Sequence, residues 1–195
     1  MPILKIFTAV LLSACQVLAL EAPIDGYKVV DMGWNIEVHP GEPYKRFTGS
    51  LNEIHARVTE LNPRWDEQYG SRSTQKRGGA TTLQKRDNLI CGPGPFNWGW
   101  TGVSWVQTNA YYLRGVKGQP RSIGGGNCAR VACAMDSAIW WCNDNRDSIV
   151  LDSFTQIADC ADNIATSCQG EGGYQAVGQL FKDGGWNVVV KDESC

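Results

Sequence analysis

At 195 residues, with 20 acidic and 18 basic side chains, the chain carries a formal charge of −2 and is long enough to form its own apolar core. From Asp87 onward eleven acidic side chains stand against seven basic ones, a formal −4 with the basic residues scattered. That balance argues against nucleic acid or an anionic membrane as a charge-driven partner.

The first residues, MPILKIFTAVLLSACQVLAL, place Lys5 before a short apolar run, Ile6 to Leu12, with Val17-Leu18-Ala19 as a small-residue cleavage site. The run is too short to span a bilayer and has the order of a secretory signal peptide, 1–19. Residues 20–86 contain no cysteine, hold both histidines, His39 and His55, and end in two dibasic pairs, Lys76-Arg77 and Lys85-Arg86, around GGATTLQ. Paired basic residues in a Gly/Thr/Gln linker suit a processing protease of the kexin type. Residues 20–86 are therefore expected to be a propeptide outside the active fold, leaving 87–195 as the mature, cysteine-rich domain.

In that domain a strand is expected near Cys91, followed by the turn-rich GPGPFNWGWTG, where Pro93 and Pro95 forbid regular helix. Ser104 three residues before Gln107 suggests a capping box, and Val103, Val106, Ala110 and Leu113 fall at helical spacing up to Gly115. Gly124-Gly125-Gly126 lacks the lysine and the setting of a phosphate loop, so a flexible loop is expected there. CARVACAMDSAIWWC, interrupted by Met135-Asp136-Ser137, predicts a hairpin. Ser153 with Gln156 predicts the start of a second helix over Phe154–Cys168. AVGQLFK and WNVVVKD around Asp183-Gly184-Gly185 predict a second hairpin. The sum is a small α+β domain, disulfide-stabilised, with two helices on one face of an antiparallel sheet.

Cys15 leaves with the signal segment, so seven cysteines remain, an odd number that leaves one thiol without a bridge in an oxidising compartment. On the second helix Cys168 falls on the apolar stripe of Phe154, Ile157, Ala158, Ala161 and Ile164, whereas Cys160 falls toward Gln156 and Asn163. Cys160 is accordingly expected to be unpaired or to pair with another chain. With no histidine and no C-x-x-C in the mature half, a zinc site is a poor reading, and no cofactor or metal is expected.

The absence of histidine also removes Ser-His and Cys-His nucleophile pairs. Asp136, Asp144, Asp159 and Asp162 remain, and Asp136 with Asp144 is the one pair considered for glycoside hydrolysis. Turn chemistry and a solvated helix face explain all four more simply. Trp98 and Trp100 in a Gly/Pro loop, and adjacent Trp140 and Trp141 facing opposite sides of a strand, are the candidate binding residues, since exposed tryptophan is a frequent hot spot.

The run Asn127-Cys128-Ala129-Arg130-Val131-Ala132-Cys133, followed by Ser137-Ala138-Ile139-Trp140-Trp141-Cys142-Asn143-Asp144-Asn145, resembles a family of small secreted cysteine-rich candidate effectors of filamentous fungi. Tyr112-Leu113-Arg114-Gly115-Val116, Gly178-Gln179 and Trp186-Asn187-Val188-Val189-Val190 extend the likeness over the mature half, and none of it reaches the propeptide. The helix–hairpin ending with a terminal cysteine is also loosely similar to killer-toxin-like α/β effectors. The resemblance implies that Cys91, Cys128, Cys133, Cys142, Cys168 and Cys195 are the bridged set, with Cys160 as this chain's departure; their connectivity stays open. It implies a secreted, extracellular, non-enzymatic effector, processed by a kexin-type protease and binding a host or extracellular protein or cell-wall component. A killer-toxin-like or antimicrobial toxin and a small cell-wall glycoside hydrolase are the alternatives.

Overall fold

The computed structural model describes residues 20–69 and 87–195. The signal segment with Cys15, and the processing residues Lys76, Arg77, Lys85 and Arg86, lie outside the described residues. The architecture is α+β. A six-stranded sheet runs in the order β1 (Lys28–Val29), β7 (Asn127–Ala134), β8 (Ser137–Asn143), β11 (Trp186–Asp192), β10 (Gly178–Lys182), β4 (Asn88–Cys91). Every neighbouring pair is antiparallel except β1 with β7. Helices α3 (Val103–Gly115) and α4 (Phe154–Ser167) pack on each other and on one face of this sheet.

The two hairpins follow their turn chemistry. Ala134 pairs with Ser137, so Met135-Asp136 is a two-residue loop, and both take positive φ, 51° and 55°, as a primed turn requires. Gly184 and Gly185 also take positive φ, 94° and 69°, in the three-residue loop Asp183-Gly184-Gly185 between β10 and β11, and Asn145 occupies the space a Cβ on Gly185 would need. Helix α4 begins where Ser153 caps it, its hydroxyl accepting from the Thr155 N–H at 3.0 Å, although Gln156 receives the Asp152 N–H and not that of Ser153. Helix α3 differs from expectation. It starts one residue before Ser104, with Gly102 at the cap and no side-chain cap bond, because Val103 N–H is taken by the Tyr174 carbonyl across the pair β5 (Thr101–Gly102) and β9 (Gln175–Ala176).

The largest departure concerns residues 20–69, which are expected outside the fold and instead form part of its core. β2 (Gly33–Ile36) lies between β3 (Lys45–Thr48) and β6 (Gly118–Pro120) of the body, and β1 extends the main sheet. α1 (Leu51–Leu61) is opened by a full capping box, Ser50 with Glu53, and the short α2 (Trp65–Gln68) follows. The physical reason is apolar area: Trp34, Ile36, Val38, Ile54 and Val58 are enclosed in one cluster with Phe154, Ile157 and Val131.

Six cysteines are bridged, Cys91–Cys168, Cys128–Cys142 and Cys133–Cys195, and Cys160 is free. The reason is not the one the helical phase suggested. Cys160 is only 4% exposed, because α4 is enclosed by the sheet and α3 together, and this arc also buries Asn163. A thiol so placed cannot reach another chain, which corrects the intermolecular alternative. Burial pushes it up to about 12, with Lys182 acting in the opposite direction. Alkylation of Cys160 at pH 8 is therefore expected to run roughly 100-fold or more slower in the native protein than in denaturant. Time-resolved iodoacetamide labelling by mass spectrometry checks this, and native labelling at the denatured rate would contradict the burial.

Candidate binding surface

The tryptophans expected to bind are mostly interior. Trp140 and Trp141 do face opposite sides of β8, and both sides are covered. Trp141 sits among the helix-side residues. Trp140 lies with Trp98, Val177, Val189 and Ile24 on the other face, and its indole N–H donates to Glu193 Oε2 at 2.9 Å. Glu193 also pairs with Arg130 and Lys191, both at 2.8 Å. The Gly/Pro loop folds back as a lid: Trp98 is 6% exposed and donates to the Pro23 carbonyl at 2.7 Å, while Trp100 is half-buried against the same cluster. Trp98, Trp140 and Trp141 are thus core residues, corrected from binding candidates.

The carboxylates are likewise accounted for. Asp136 and Asp144 flank β8 at its two ends, about 25 Å apart at roughly 3.3 Å per residue, against about 5–10 Å for a glycosidase pair. That pairing is excluded. Asp159 and Asp162 are not a solvated face; both hold Arg114, which donates to Asp159 Oδ1 through Nε at 2.9 Å and Nη2 at 2.7 Å, joining α4 to α3.

The Asn143-Asp144-Asn145 string closes one end of the sheet. Asn143 Nδ2 donates to the Ile123 and Asp147 carbonyls, and Asn145 Nδ2 donates to those of Gly184 and Gly185. Gly125 lies so close to the Asn145 and Arg146 carbonyls that a Cβ there would collide. The expected glycine loop is thus closely packed at Gly125, while the space beside Gly126 is open. Asp144 Oδ1 accepts from Asn187 Nδ2 at 2.6 Å and from the Tyr27 hydroxyl at 2.8 Å, while its outer side stays exposed.

Tyr27 is pushed from its ordinary 10.0 to about 12, first by burial, then by its bond to and the charge of Asp144. The folded state holds this proton more tightly. Its contribution is therefore complete below pH 10 and lost as pH rises through about 12. Partial exposure of Tyr27 keeps the effect small. The stability difference between wild type and Tyr27→Phe is expected to shrink over that window; urea midpoints at several pH values check it, and a widening difference would reverse the sign.

Large apolar side chains are exposed at scattered positions, Tyr44, Leu61, Met135, Val150 and Tyr174 among them, and three exposed aromatic rings share one helix. Trp105, Tyr111 and Tyr112 on α3 are 41%, 50% and 54% exposed, and the two tyrosine rings meet edge to face at 5.8 Å. Val106, Ala110 and Leu113 anchor the opposite side of the helix in the core, which turns these three outward. Tyr111 and Tyr112 adjoin a groove of about 590 Å³ between α3 and the 20–69 segment. Its apolar lining is Ile36, Leu51, Ile54, Val58, Trp65 and Val116. His55 Nε2 and Asp66 Oδ1, 2.8 Å apart, give it one polar edge. Sequence spacing places Tyr111 and Tyr112 on this helix and its outward side, and does not show what borders them. Among the described residues no three metal-ligating side chains converge, and no helix is long and apolar enough to cross a membrane. No protein-family model, curated protein or solved structure matches the chain, so this surface has to be read from its own residues.

Proposed function

We propose that the protein is a secreted, non-enzymatic, effector-type binding protein, exported on its signal segment, cut at the dibasic pairs, and engaging an extracellular host protein through the outer face of α3 and the groove beside it. The carrying observation is the pair Tyr111 and Tyr112, exposed at the rim of an apolar groove, with Trp105 exposed nearer the start of the same helix. Aromatic side chains of this kind desolvate well and dominate binding energy where a partner covers them. Three disulfides suit an oxidising, extracellular setting. The fungal likeness of the Ser137–Asn145 string agrees with this reading, and the role of that string is to build the sheet and its closing turns.

The experiment is saturation binding of labelled, processed protein to host extracellular membranes and walls. Tyr112→Ala and Trp105→Ala, which remove exposed rings, are expected to lower affinity roughly 10- to 100-fold with Tm unchanged. Equal binding by wild type and both variants would remove the surface from the reading. Direct killing of cells or leakage of liposomes by both alike would favour a toxin.

A further inference from the structure

We infer that the 20–69 segment stays on the body after the chain is cut, so that the working protein is two non-covalently associated chains sharing one core. This rests on the dibasic processing proposed above and goes beyond it, since processing alone leaves open where the cut segment goes.

The attachment has the character of a fold interior along its length. β1 pairs in parallel with the outer edge of β7, with Lys28 N–H donating to the Gly126 carbonyl at 3.0 Å and Val30 N–H to that of Cys128 at 2.9 Å. β2 pairs with β6, placing Trp34, Asn35 and Ile36 opposite Pro120, Gln119 and Gly118. The Asn35 carbonyl lies where a Cβ on Gly118 would be, so the two backbones meet as closely as the chain permits. Trp34 is fully enclosed and stacks on Phe154 of α4 with ring centres 4.6 Å apart. Pro23 covers the other face of the sheet by accepting from Trp98, and Tyr27 reaches Asp144.

Departure of the segment would therefore uncover both faces of the sheet, the edge of β7 and the Phe154 ring at once. An uncovered edge and apolar patch of that kind invite aggregation. No cysteine lies between residues 20 and 86, so nothing covalent ties the segment to the body once the linker is cut. The groove depends on the same retention, because Ile36, Ile54, Val58 and Trp65 supply its lining from the segment and Tyr111, Tyr112 and Val116 from the body.

The test digests the secreted chain, 20–195, with a kexin-type protease at about 1 µM, a concentration that detects associations tighter than micromolar. Gel filtration is then followed by denaturing electrophoresis without reductant. The expected result is a single native peak of uncut size that the gel resolves into two chains. A separate low-mass peak for the segment, with the body still folded, overturns the inference. If the wild-type chain resists the protease, the processing reading fails; the same elution is then read on a variant with an unrelated protease site replacing residues 78–84, and it decides retention alone. In the cut protein, Trp34→Ala is expected to weaken retention roughly 100-fold or more. Tyr27→Phe, which preserves the fold by removing one hydroxyl, is expected to weaken it about fivefold. Retention unchanged in both variants would place the attachment elsewhere and also overturn it.

Discussion

Trp34→Ala is expected to destabilise the uncut protein by about 3–5 kcal/mol, the range for deleting a buried aromatic ring from a packed core. The ring has no exposed surface, stacks on Phe154 at an interplanar angle of 24°, and donates its indole N–H to the Gly49 carbonyl at 2.9 Å. Alanine removes the stack, opens a cavity between β2 and α4, and leaves that carbonyl without its donor, so transfer, cavity and hydrogen-bond losses act in one direction. A chain of this size then loses about 10 °C in Tm. Tyr44→Ala in the same segment is the control: that ring is 50% exposed, and its removal is expected to change stability by less than about 0.5 kcal/mol. Calorimetry of the three proteins checks the pair. A Trp34→Ala midpoint within about 2 °C of wild type would mean that the segment decorates the fold without belonging to it.

The importance of Trp34 also shows what could and could not be read from the chain. The order of strand, helix, hairpin, helix, hairpin after Asp87 is legible because its signals are local: turn residues at 135–136 and 183–185, and apolar positions at helical or alternating spacing. Residues 20–69 carry comparable signals. Trp34, Ile36 and Val38 alternate with polar residues, and Ser50 with Glu53 forms a complete capping box. The dibasic pairs suggest where a chain would be cut and say nothing about whether the pieces remain packed. The tryptophans failed for a related reason. Local sequence places Trp98 in a Gly/Pro loop, and only the tertiary structure shows that loop folded onto Trp140 with Pro23 as its hydrogen-bond acceptor. The candidate surface was the least legible, since exposure on α3 matters only beside a groove whose other wall comes from far earlier in the chain.

The second large effect is expected from Cys91→Ala/Cys168→Ala, which should cost about 4.5 kcal/mol, the loop-closure value for a bridge spanning 77 residues. This bridge ties the edge strand β4, whose ladder partner is β10, to the C-terminal end of α4, so it also limits local opening. Removal of Cys128–Cys142, which spans 14 residues, should cost about 3 kcal/mol by the same argument. Both of those sulfur positions are fully buried, and the cavity they leave adds roughly 1–2 kcal/mol, bringing the two variants close in total stability. They separate by mechanism. The first acts through the unfolded chain and the β4 edge, so amide exchange in Asn88–Cys91 should rise more than in the central strands. The second loosens the β7–β8 hairpin at the middle of the sheet and should raise exchange throughout. Urea midpoints together with residue-resolved hydrogen exchange read both quantities, and a Cys91→Ala/Cys168→Ala protein within about 1 kcal/mol of wild type would show that the unfolded chain is already restrained across that span.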